Sequence, residues 1–324
     1  MKDSTILVTG GAGNIGSHIV DMCVKNDAKK VIVIDDFSRG VMSNLDWAIK
    51  NGNVVVINGN IKDTKLLNEY FKDVDYVFHQ AAIRITQCAK EPRLAHEVLI
   101  DGTFNVLEAC VKHKIKKLVF ASSASVYGDS SYLPMDENHP FNNKTYYGAG
   151  KIANEQMTRA FREMYGLNYV GLRYFNVYGP RMDIYGYYTE VMIKWLDKMD
   201  KNEAPVIFGD GEQAMDFIYV EDVAKANILA LESDIVEGVY NVGTGIMTSL
   251  NELVREMLDL TNPNLKPIHK DPEKLLIVSK RKAGIEKAKE NLGFKSEVNL
   301  KEGLKKLIGW RKSNIKQVQK ETSS

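Results

Sequence analysis

A glycine-rich loop lies between an apolar run and a helical pattern near the start of the chain. Residues 6–8 (Ile-Leu-Val) are typical of a buried strand, residues 9–16 read Thr-Gly-Gly-Ala-Gly-Asn-Ile-Gly, and apolar residues at helical spacing begin at Ile15. Glycines in such a loop permit a tight turn, a close approach of the backbone to a diphosphate and close packing of the helix on the strand. The order strand, loop, helix therefore predicts a dinucleotide-binding unit of the Rossmann type, with the diphosphate at the helix N-terminus.

An acidic residue ends the second predicted strand. Asp35 lies nineteen residues after Gly16, where a carboxylate can accept hydrogen bonds from both hydroxyls of the adenosine ribose. Because this negative charge repels a 2′-phosphate, it favours NAD over NADP. Two alternatives stay open: Asp35 and Asp36 could only start the loop that reaches Gly40, and Arg39 could accommodate a phosphate.

Short β-branched runs alternate with longer helical patterns through the first half of the chain. Such alternation predicts an α/β fold with a Rossmann doubly wound parallel sheet, because βαβ units place parallel strands side by side beneath helices. The elements are predicted as strands at residues 6–8, 31–34, 54–57, 76–78, 118–120 and 169–172, and as helices at 63–71, 92–113 and 146–165.

The alternation stops after about Phe175, and glycine-rich turns then separate shorter elements. This change predicts an NAD-binding Rossmann domain over 1–174 and a smaller C-terminal substrate-binding domain mainly over 175–324, with elements that can interleave. Apolar residues on one face predict a final helix around 300–308, and the polar tail over 312–324 is expected to fray.

The charge balance of the chain offers no electrostatic footprint for a polyanion. Lys and Arg number 43 against 42 Asp and Glu, so neither nucleic acid nor a membrane is expected as a partner.

Cys23, Cys88 and Cys110 have no disulfide or metal-ligand spacing, so reduced thiols and no metal site are expected. The first residues lack a signal-peptide pattern, and no apolar run could cross a bilayer, which predicts a cytoplasmic location.

Tyr147 and Lys151 are four residues apart at the start of a predicted helix and therefore share one face. A phenol normally titrates near pH 10, and a nearby ammonium lowers that pKa by stabilising the phenolate. Tyr147 could then take a proton from an alcohol while hydride leaves the same carbon for a nicotinamide. Ser122 and Ser123 end a predicted strand at the same edge of the sheet, where a hydroxyl could hold the reacting oxygen.

These motifs resemble those of extended short-chain dehydrogenases/reductases of the nucleotide-sugar epimerase/dehydratase family, and most closely its UDP-sugar 4-epimerases. The similarity extends from Thr5 to about Trp310. It rests on residues 9–16, 79–82 (His-Gln-Ala-Ala), 122–128 (Ser-Ser-Ala-Ser-Val-Tyr-Gly), 147–151, 173–181 (Arg-Tyr-Phe-Asn-Val-Tyr-Gly-Pro-Arg), 209–220 and 240–243. The resemblance implies NAD as cofactor, a nucleotide sugar as substrate, and a homodimer in which helices 92–113 and 146–165 of two chains form a four-helix bundle.

The resemblance makes Ser123, Tyr147 and Lys151 the catalytic set, with Lys151 also bonding the nicotinamide ribose. Together with the loop motif, it gives the expected cofactor-binding residues: Gly10, Gly13, Asn14, Ile15, Gly16, Asp35, Asp36, Phe37, Ser38, Gly40, Asn60, Ile61, Gln80, Ala81, Ala82, Tyr147 and Lys151. The expected substrate-binding residues are Arg84, Ser123, Tyr147, Asn176 and Arg181. Arg84 follows the 79–82 motif, where it could bind either a cofactor phosphate or a sugar carboxylate.

The residues after the catalytic hydroxyl favour one reaction within the family. Dehydratases and decarboxylases carry an acidic residue there, whereas residues 124–127 here are Ala-Ser-Val-Tyr. The resemblance therefore implies an NAD-dependent 4-epimerase of a nucleotide-linked sugar, a UDP-hexose or derivative, acting by reversible C4 oxidation through a 4-keto intermediate. The alternatives are a nucleotide-sugar dehydratase or oxidoreductase, and a non-catalytic NAD-binding protein.

Three residues depart from the pattern expected of UDP-galactose-type 4-epimerases. Met215 replaces an arginine that binds the substrate diphosphate, Leu99 replaces an asparagine, and Gly284 replaces an aspartate. Loss of an arginine–phosphate pair weakens substrate binding unless another cation supplies the contact. The candidates for that cation are Arg181, Lys280 and Arg281.

Overall fold

The computed structural model describes residues 1–183, 191–271 and 280–321, with side chains described as far as Asn314. Its strands are β1 (Thr5–Thr9), β2 (Lys30–Asp35), β3 (Val54–Asn58), β4 (Tyr76–His79), β5 (Lys117–Ser123), β6 (Tyr169–Tyr174), β7 (Asn176–Tyr178), β8 (Val206–Phe208), β9 (Ala214–Met215), β10 (Phe217–Tyr219), β11 (Val239–Val242), β12 (Thr248–Ser249) and β13 (Ile268–Lys270).

The α-helices cover the faces of the main sheet and build the C-terminal part of the chain. They are α1 (Asn14–Lys25), α2 (Asp46–Asn51), α3 (Thr64–Tyr70), α4 (Ile85–Lys90), α5 (Pro92–His96), α6 (Thr103–Lys112), α7 (Tyr146–Tyr165), α8 (Val191–Asp200), α9 (Val220–Glu232), α10 (Leu250–Thr261), α11 (Glu286–Leu292) and α12 (Leu300–Glu321). Short 3₁₀ segments at Met42–Leu45 and Ala124–Val126 and a π-helical segment at Glu97–Gly102 complete the described helical structure.

The main sheet has seven strands within the described residues, all parallel, in the order β11-β6-β5-β4-β1-β2-β3. The chain winds from β1 outward to β3 on one side and then from β4 outward to β11 on the other, which confirms the Rossmann doubly wound fold. Adjacent residues of one strand belong to different cores: Ile6 packs with the helices on one face, and Leu7 with those on the other. Burial on both faces explains why these strands are almost continuously apolar.

The six strands predicted from the sequence lie within β1 to β6, and the predicted helices at 63–71 and 146–165 correspond to α3 and α7. The predicted helix at 92–113 is interrupted by the π-helical segment between α5 and α6. The final helix is longer than predicted, because α12 continues to Glu321 through most of the expected polar tail, of which residues 322–324 lie outside the described part.

The division between the two halves of the chain is not a single point. β11 comes from the second half, yet it forms the edge of the main sheet beside β6, and α9 packs against α1. Helix α11 also packs against β11 and α9, whereas α8, α10 and α12 pack around a separate core that includes Trp195, Leu253 and Leu304. The chain therefore leaves the Rossmann unit after β6, returns to it with α9 and β11, and then completes the C-terminal part.

None of the described helices combines the length and the apolar composition needed to cross a membrane.

Candidate active site

One cleft of about 1280 Å³ lies at the carboxyl edge of the main sheet, and we call it the cleft below. Residues that end or follow five neighbouring strands line it: Gly10, Asp35, Gln80, Ser123 and Tyr174. Because parallel strands bring their carboxyl ends to one edge, ligands of open α/β sheets bind at such a position. The opposite wall comes from the C-terminal elements.

The glycine loop packs so closely against neighbouring backbone that any residue with a Cβ is sterically excluded at Gly10 and Gly16. A Cβ at Gly10 would lie 2.7 Å from the backbone nitrogen of Ala81, and a Cβ at Gly16 would lie 2.1 Å from the carbonyl oxygen of Gly10. Helix α1 begins directly after this loop, and its first residues line the cleft, so its free N–H groups and positive dipole end face the cleft. No acidic residue in the first turn opposes the binding of an anion there. This cradle fits a dinucleotide diphosphate.

Asp35 is fixed at the end of β2 by two backbone donors. Its Oδ2 accepts a hydrogen bond from the Ala12 nitrogen at 2.9 Å, and its Oδ1 accepts one from the Phe37 nitrogen at 2.9 Å. Burial raises the pKa of this carboxyl, although both backbone hydrogen bonds oppose the shift. A carboxylate held in this way fits the ribose-binding role predicted for it.

All but one of the other predicted cofactor residues also border the cleft. Asp36 accepts hydrogen bonds from the Ser38 nitrogen and hydroxyl, and from Asn60 Nδ2 at 2.8 Å, which joins the loop after β2 to the loop after β3. Gln80 is held by Tyr174 and Asn227. The predicted cofactor residues that line the cleft are Gly10, Gly13, Asn14, Ile15, Gly16, Asp35, Asp36, Ser38, Gly40, Asn60, Ile61, Gln80, Ala81, Ala82, Tyr147 and Lys151, and Phe37 is not among them.

Ser123, Tyr147 and Lys151 line the cleft together. The Ser123 Oγ accepts a hydrogen bond from the Ser125 nitrogen at 3.1 Å, which leaves its own proton available to donate. Helix α7 starts one residue before Tyr147, capped by the Thr145 hydroxyl, and its first turns carry both Tyr147 and Lys151. The Lys151 Nζ lies 5.7 Å from the centroid of the Tyr147 ring.

Lys151 is almost completely buried and donates a hydrogen bond to the carbonyl oxygen of Ala121 at 2.7 Å. Burial lowers the pKa of Lys151 to about 8, and the nearby Cys88 and Glu155 oppose this shift. His79 also lies near Lys151, and burial lowers the pKa of this imidazole to about 3, so it stays neutral. The charge of Lys151 is therefore sensitive to pH close to neutrality.

A buried charged network lies next to Lys151 on α7 and Ser123 at the end of β5. Glu155, one turn beyond Lys151 on α7, accepts a hydrogen bond from the Ser122 hydroxyl at 2.5 Å and two from Arg173, at 2.8 and 2.6 Å. Arg173 also donates to the Tyr127 hydroxyl at 2.9 Å. This network joins α7 to β5 and β6, so it sets the position of Tyr147 relative to Ser123.

The predicted substrate residues occupy different surroundings. Asn176 lines the cleft and donates its Nδ2 to the carbonyl oxygen of Asp216 at 3.3 Å. Arg84 also lines the cleft, with its Nη2 3.8 Å from Asp183 Oδ2. Arg181 lines the cleft too, but its Nη2 donates to Asp21 Oδ2 of α1 at 2.7 Å, which places it beside the glycine loop.

The structure places one arginine next to Met215. The Arg281 nitrogen donates to the carbonyl oxygen of Ala214 at 2.9 Å, and both Met215 and Arg281 line the cleft. Burial lowers the pKa of Arg281 to about 10, and its buried Nε has no hydrogen-bond partner among the described residues. Lys280, the other nearby candidate, is exposed and does not line the cleft.

The other two departures from the family pattern lie away from the cleft. Leu99 is buried in an apolar cluster that also contacts Tyr147, and it limits the space around Gly150 on α7. Gly284 donates its nitrogen to the carbonyl oxygen of Met135 and accepts from Asn241 Nδ2. Both residues therefore act on packing next to the site.

Sequence reasoning missed the apolar wall of the cleft. Val191, Met192, Leu250 and Trp310 line it from α8, α10 and α12. These residues belong to no short motif, and in the sequence they are indistinguishable from ordinary core residues. Among the described residues, no group of three or more His, Cys, Asp or Glu side chains is arranged to hold a metal ion.

Comparison with known proteins shows the family to which the chain belongs. The family model described as "NAD dependent epimerase/dehydratase family" matches residues 6–243, which include the glycine loop, Asp35 and the Ser123, Tyr147 and Lys151 set. The chain belongs to this family. NAD is therefore its cofactor, in agreement with the cradle at the N-terminus of α1.

The similarity of this epimerase/dehydratase family member to its relatives covers almost the whole chain. A Methanocaldococcus jannaschii protein named "Putative UDP-glucose 4-epimerase" is 42% identical over 315 residues, which cover 95% of this chain and 99% of that protein. A structure of UDP-N-acetylglucosamine 4-epimerase from Methanobrevibacter ruminantium M1 in complex with UDP-N-acetylmuramic acid has a TM-score of 0.91 and 38% identity, covering 97% of this chain and 100% of that one. A Thermus thermophilus UDP-glucose 4-epimerase in complex with NAD has a TM-score of 0.84 and 31% identity, covering 95% and 99%.

The low pKa of Lys151 leads to a pH prediction. The ammonium loses its proton as the pH rises through about 8, so the rate of catalysis should fall above that pH. Arginine stays charged throughout this range, and Lys151→Arg should remove the alkaline fall even if its maximal rate is lower. The measurement is kcat against pH for both proteins. A wild-type rate that still rises at pH 10, or an unchanged alkaline limb in Lys151→Arg, would contradict this role.

Proposed function

We propose that this protein is a 4-epimerase of a nucleotide-linked hexose or hexose derivative, with UDP as the nucleotide. The observation that carries the proposal is the presence of Ser123, Tyr147 and Lys151 in the same cleft as the dinucleotide cradle, with no carboxylate among residues 124–127. The 4-epimerase names of the relatives support the same reaction.

The chemistry of the site follows from its proton carriers. Tyr147 is the group that takes the proton of the C4 hydroxyl, because Lys151 places a positive charge beside its ring and favours the phenolate. The Ser123 hydroxyl, free to donate, stabilises the same oxygen of the sugar. NAD, when bound, supplies the acceptor and donor of the C4 hydride.

Epimerisation needs no further acid or base. When the sugar turns over in the cleft between the two hydride transfers, Tyr147 returns the same proton to the C4 oxygen and the configuration at C4 is inverted. A dehydratase also has to remove a proton from C5 and protonate a leaving hydroxyl. Residues 124–127 carry no ionisable group for those steps apart from the Tyr127 hydroxyl. That hydroxyl is buried, donates to Asn241 and has its pKa raised by burial, so it stays protonated.

Arg281 is the residue that we assign to the substrate diphosphate. It lines the cleft beside Met215, where the expected arginine is absent, and it keeps an unsatisfied buried donor. A buried guanidinium without a full set of acceptors is unfavourable until an anion enters. The arginine lost at Met215 is thus replaced by a neighbour on an adjacent segment.

We also propose a homodimer formed through α6 and α7. Phe104, Met164 and Tyr165 are exposed on these helices by 41%, 68% and 54%. Phe104 contacts Phe161 edge to face, and Phe161 in turn contacts Tyr165, so these three aromatic side chains are continuous with one another. Covering this surface with the same helices of a second chain would produce the four-helix bundle expected from the sequence.

A cytoplasmic site of action is proposed as well. The three cysteines are free and buried, as is usual in a reducing compartment.

The function is tested by NMR of the purified protein with UDP-glucose, UDP-N-acetylglucosamine and UDP-glucuronate. We expect anomeric signals of the C4 epimer from at least one of them, and a rate at least about 100-fold lower in Tyr147→Phe, because the proton carrier is removed. Tyr146→Phe is the matched control, since Tyr146 is exposed and bonds His96 outside the cleft. Incorporation of solvent deuterium at C5 of the product would show that the protein is a dehydratase and not an epimerase. An unchanged rate in Tyr147→Phe would reject the catalytic assignment of this residue.

Replacement of Arg281 tests the diphosphate contact. Arg281→Met should raise the KM of the accepted substrate and the Kd of UDP by about 10- to 100-fold, the effect of losing a hydrogen bond between charged groups. The exposed neighbour Lys280→Met is the control, and its constants should stay near those of the wild type. Equal constants for Arg281→Met and the wild type would assign the diphosphate to another cation.

The dimer is tested by placing a charge on the shared apolar surface. Phe104→Asp should convert the dimer to a monomer, since a carboxylate would be buried without a partner at the interface. Sedimentation velocity measures the change, and Ile246→Asp, at an apolar residue that is 67% exposed elsewhere, is the control. A wild-type protein that sediments as a monomer would refute the dimer.

A further inference from the structure

Residues 180–183 cross the cofactor side of the cleft, and we call them the strap. They follow β7 and connect to three separate loops of the Rossmann unit through side-chain contacts. The strap is anchored in the C-terminal core by Met182, which is buried beside Tyr178 and Met192. Its other residues, Pro180, Arg181 and Asp183, contact the Rossmann side of the cleft.

The first half of the strap is joined to the glycine loop and α1. The carbonyl oxygen of Pro180 accepts a hydrogen bond from Asn14 Nδ2 at 2.7 Å. Arg181 Nη2 donates to Asp21 Oδ2 at 2.7 Å, and both side chains are largely buried. These two contacts hold the strap directly over the N-terminal end of α1, where the diphosphate cradle lies.

The second half of the strap extends across the neighbouring loops. Asp183 Oδ2 is 4.0 Å from Arg39 Nε on the loop after β2 and 3.8 Å from Arg84 Nη2 on the loop after β4. Since β4, β1 and β2 are adjacent in the sheet, the four contacts cover three consecutive loops. A dinucleotide in a Rossmann unit lies across these same loops.

The backbone of the strap indicates that these contacts are required to hold it. Arg181 has a φ of +66°, which is unusual and sterically unfavourable for a residue with a Cβ. Such a conformation persists only where the surrounding contacts determine it. In addition, Arg181 Nη1 is buried without a hydrogen-bond partner among the described residues, and a bound phosphate would supply an acceptor.

We propose that Arg181 and Asp183 are cofactor-retaining residues, and that the strap keeps NAD in the cleft through successive turnovers. NAD leaves only when the contacts to Asp21, Arg39 and Arg84 open. The substrate role predicted for Arg181 from the family resemblance is thereby replaced by a role on the cofactor side. The inference depends on NAD in the cleft and on no particular sugar, so a negative epimerase assay would leave it intact.

The experiment measures the release of NAD from purified, NAD-loaded protein in the absence of sugar. Alcohol dehydrogenase with ethanol in excess reduces each released NAD, and the absorbance at 340 nm gives the rate. Asp183→Asn, which keeps the shape of the side chain, and Arg181→Met should each release NAD at least about ten times faster than the wild type, because lost contacts act mainly on dissociation. Added salt should accelerate release from the wild type more than from Asp183→Asn, since it screens the ion pairs.

Glu203→Gln is the control, because Glu203 forms an exposed ion pair with Lys198 in the C-terminal part, away from the cleft. Its release rate should equal that of the wild type. Thermal unfolding of each apo protein separates retention from folding, and if Arg181→Met does not fold, Asp183→Asn decides the question alone. A release rate for folded Asp183→Asn within twofold of the wild type, with the same salt dependence, would overturn the proposal.

Discussion

Parallel pairing of the strands is the constraint on which the site depends. It brings the carboxyl ends of β1, β2, β4, β5 and β6 to one edge, so residues far apart in the sequence line one cleft. Parallel strands also require long crossover connections, and α1 and α7 are two of these connections. One therefore starts at the diphosphate cradle, and the other carries Tyr147 and Lys151 to the opposite end of the cofactor site.

The charged residues in and around the cleft differ in how completely they are paired. The ion pair of Glu155 with Arg173 is buried and fully hydrogen-bonded, which suits a network that fixes geometry and does not react. Lys151 is buried and donates a hydrogen bond to a backbone carbonyl oxygen, and burial lowers its pKa to about 8. Its protonation state can therefore change when ligands enter the cleft. Arg281 has a buried Nε without a hydrogen-bond partner among the described residues, which suits a site that an anion completes. Arginine is thus fully paired at position 173 and keeps an unpaired donor at position 281 among the described residues.

The C-terminal part of the chain adds two things that a Rossmann unit lacks. It supplies an apolar wall of the cleft, and through residues 180–183 it contacts the loops that follow β1, β2 and β4. Because the chain returns to the main sheet with α9 and β11, its backbone crosses between the two parts more than once. Cofactor and substrate are therefore enclosed by elements whose relative positions are set by one continuous fold.

The sequence by itself determined the local features, because each depends on short-range chemistry: the glycine loop, the acid at Asp35, the spacing of Tyr147 and Lys151, and strands β1 to β6. It did not reveal β11, whose four residues gain their strand character from pairing with β6. Nor did it show that Arg181 contacts Asp21, that Arg281 lies beside Met215, or which apolar residues line the cleft. Those facts were decided only by the tertiary structure, because side chains distant in the sequence acquire their partners, and therefore their roles, only when packing brings them together.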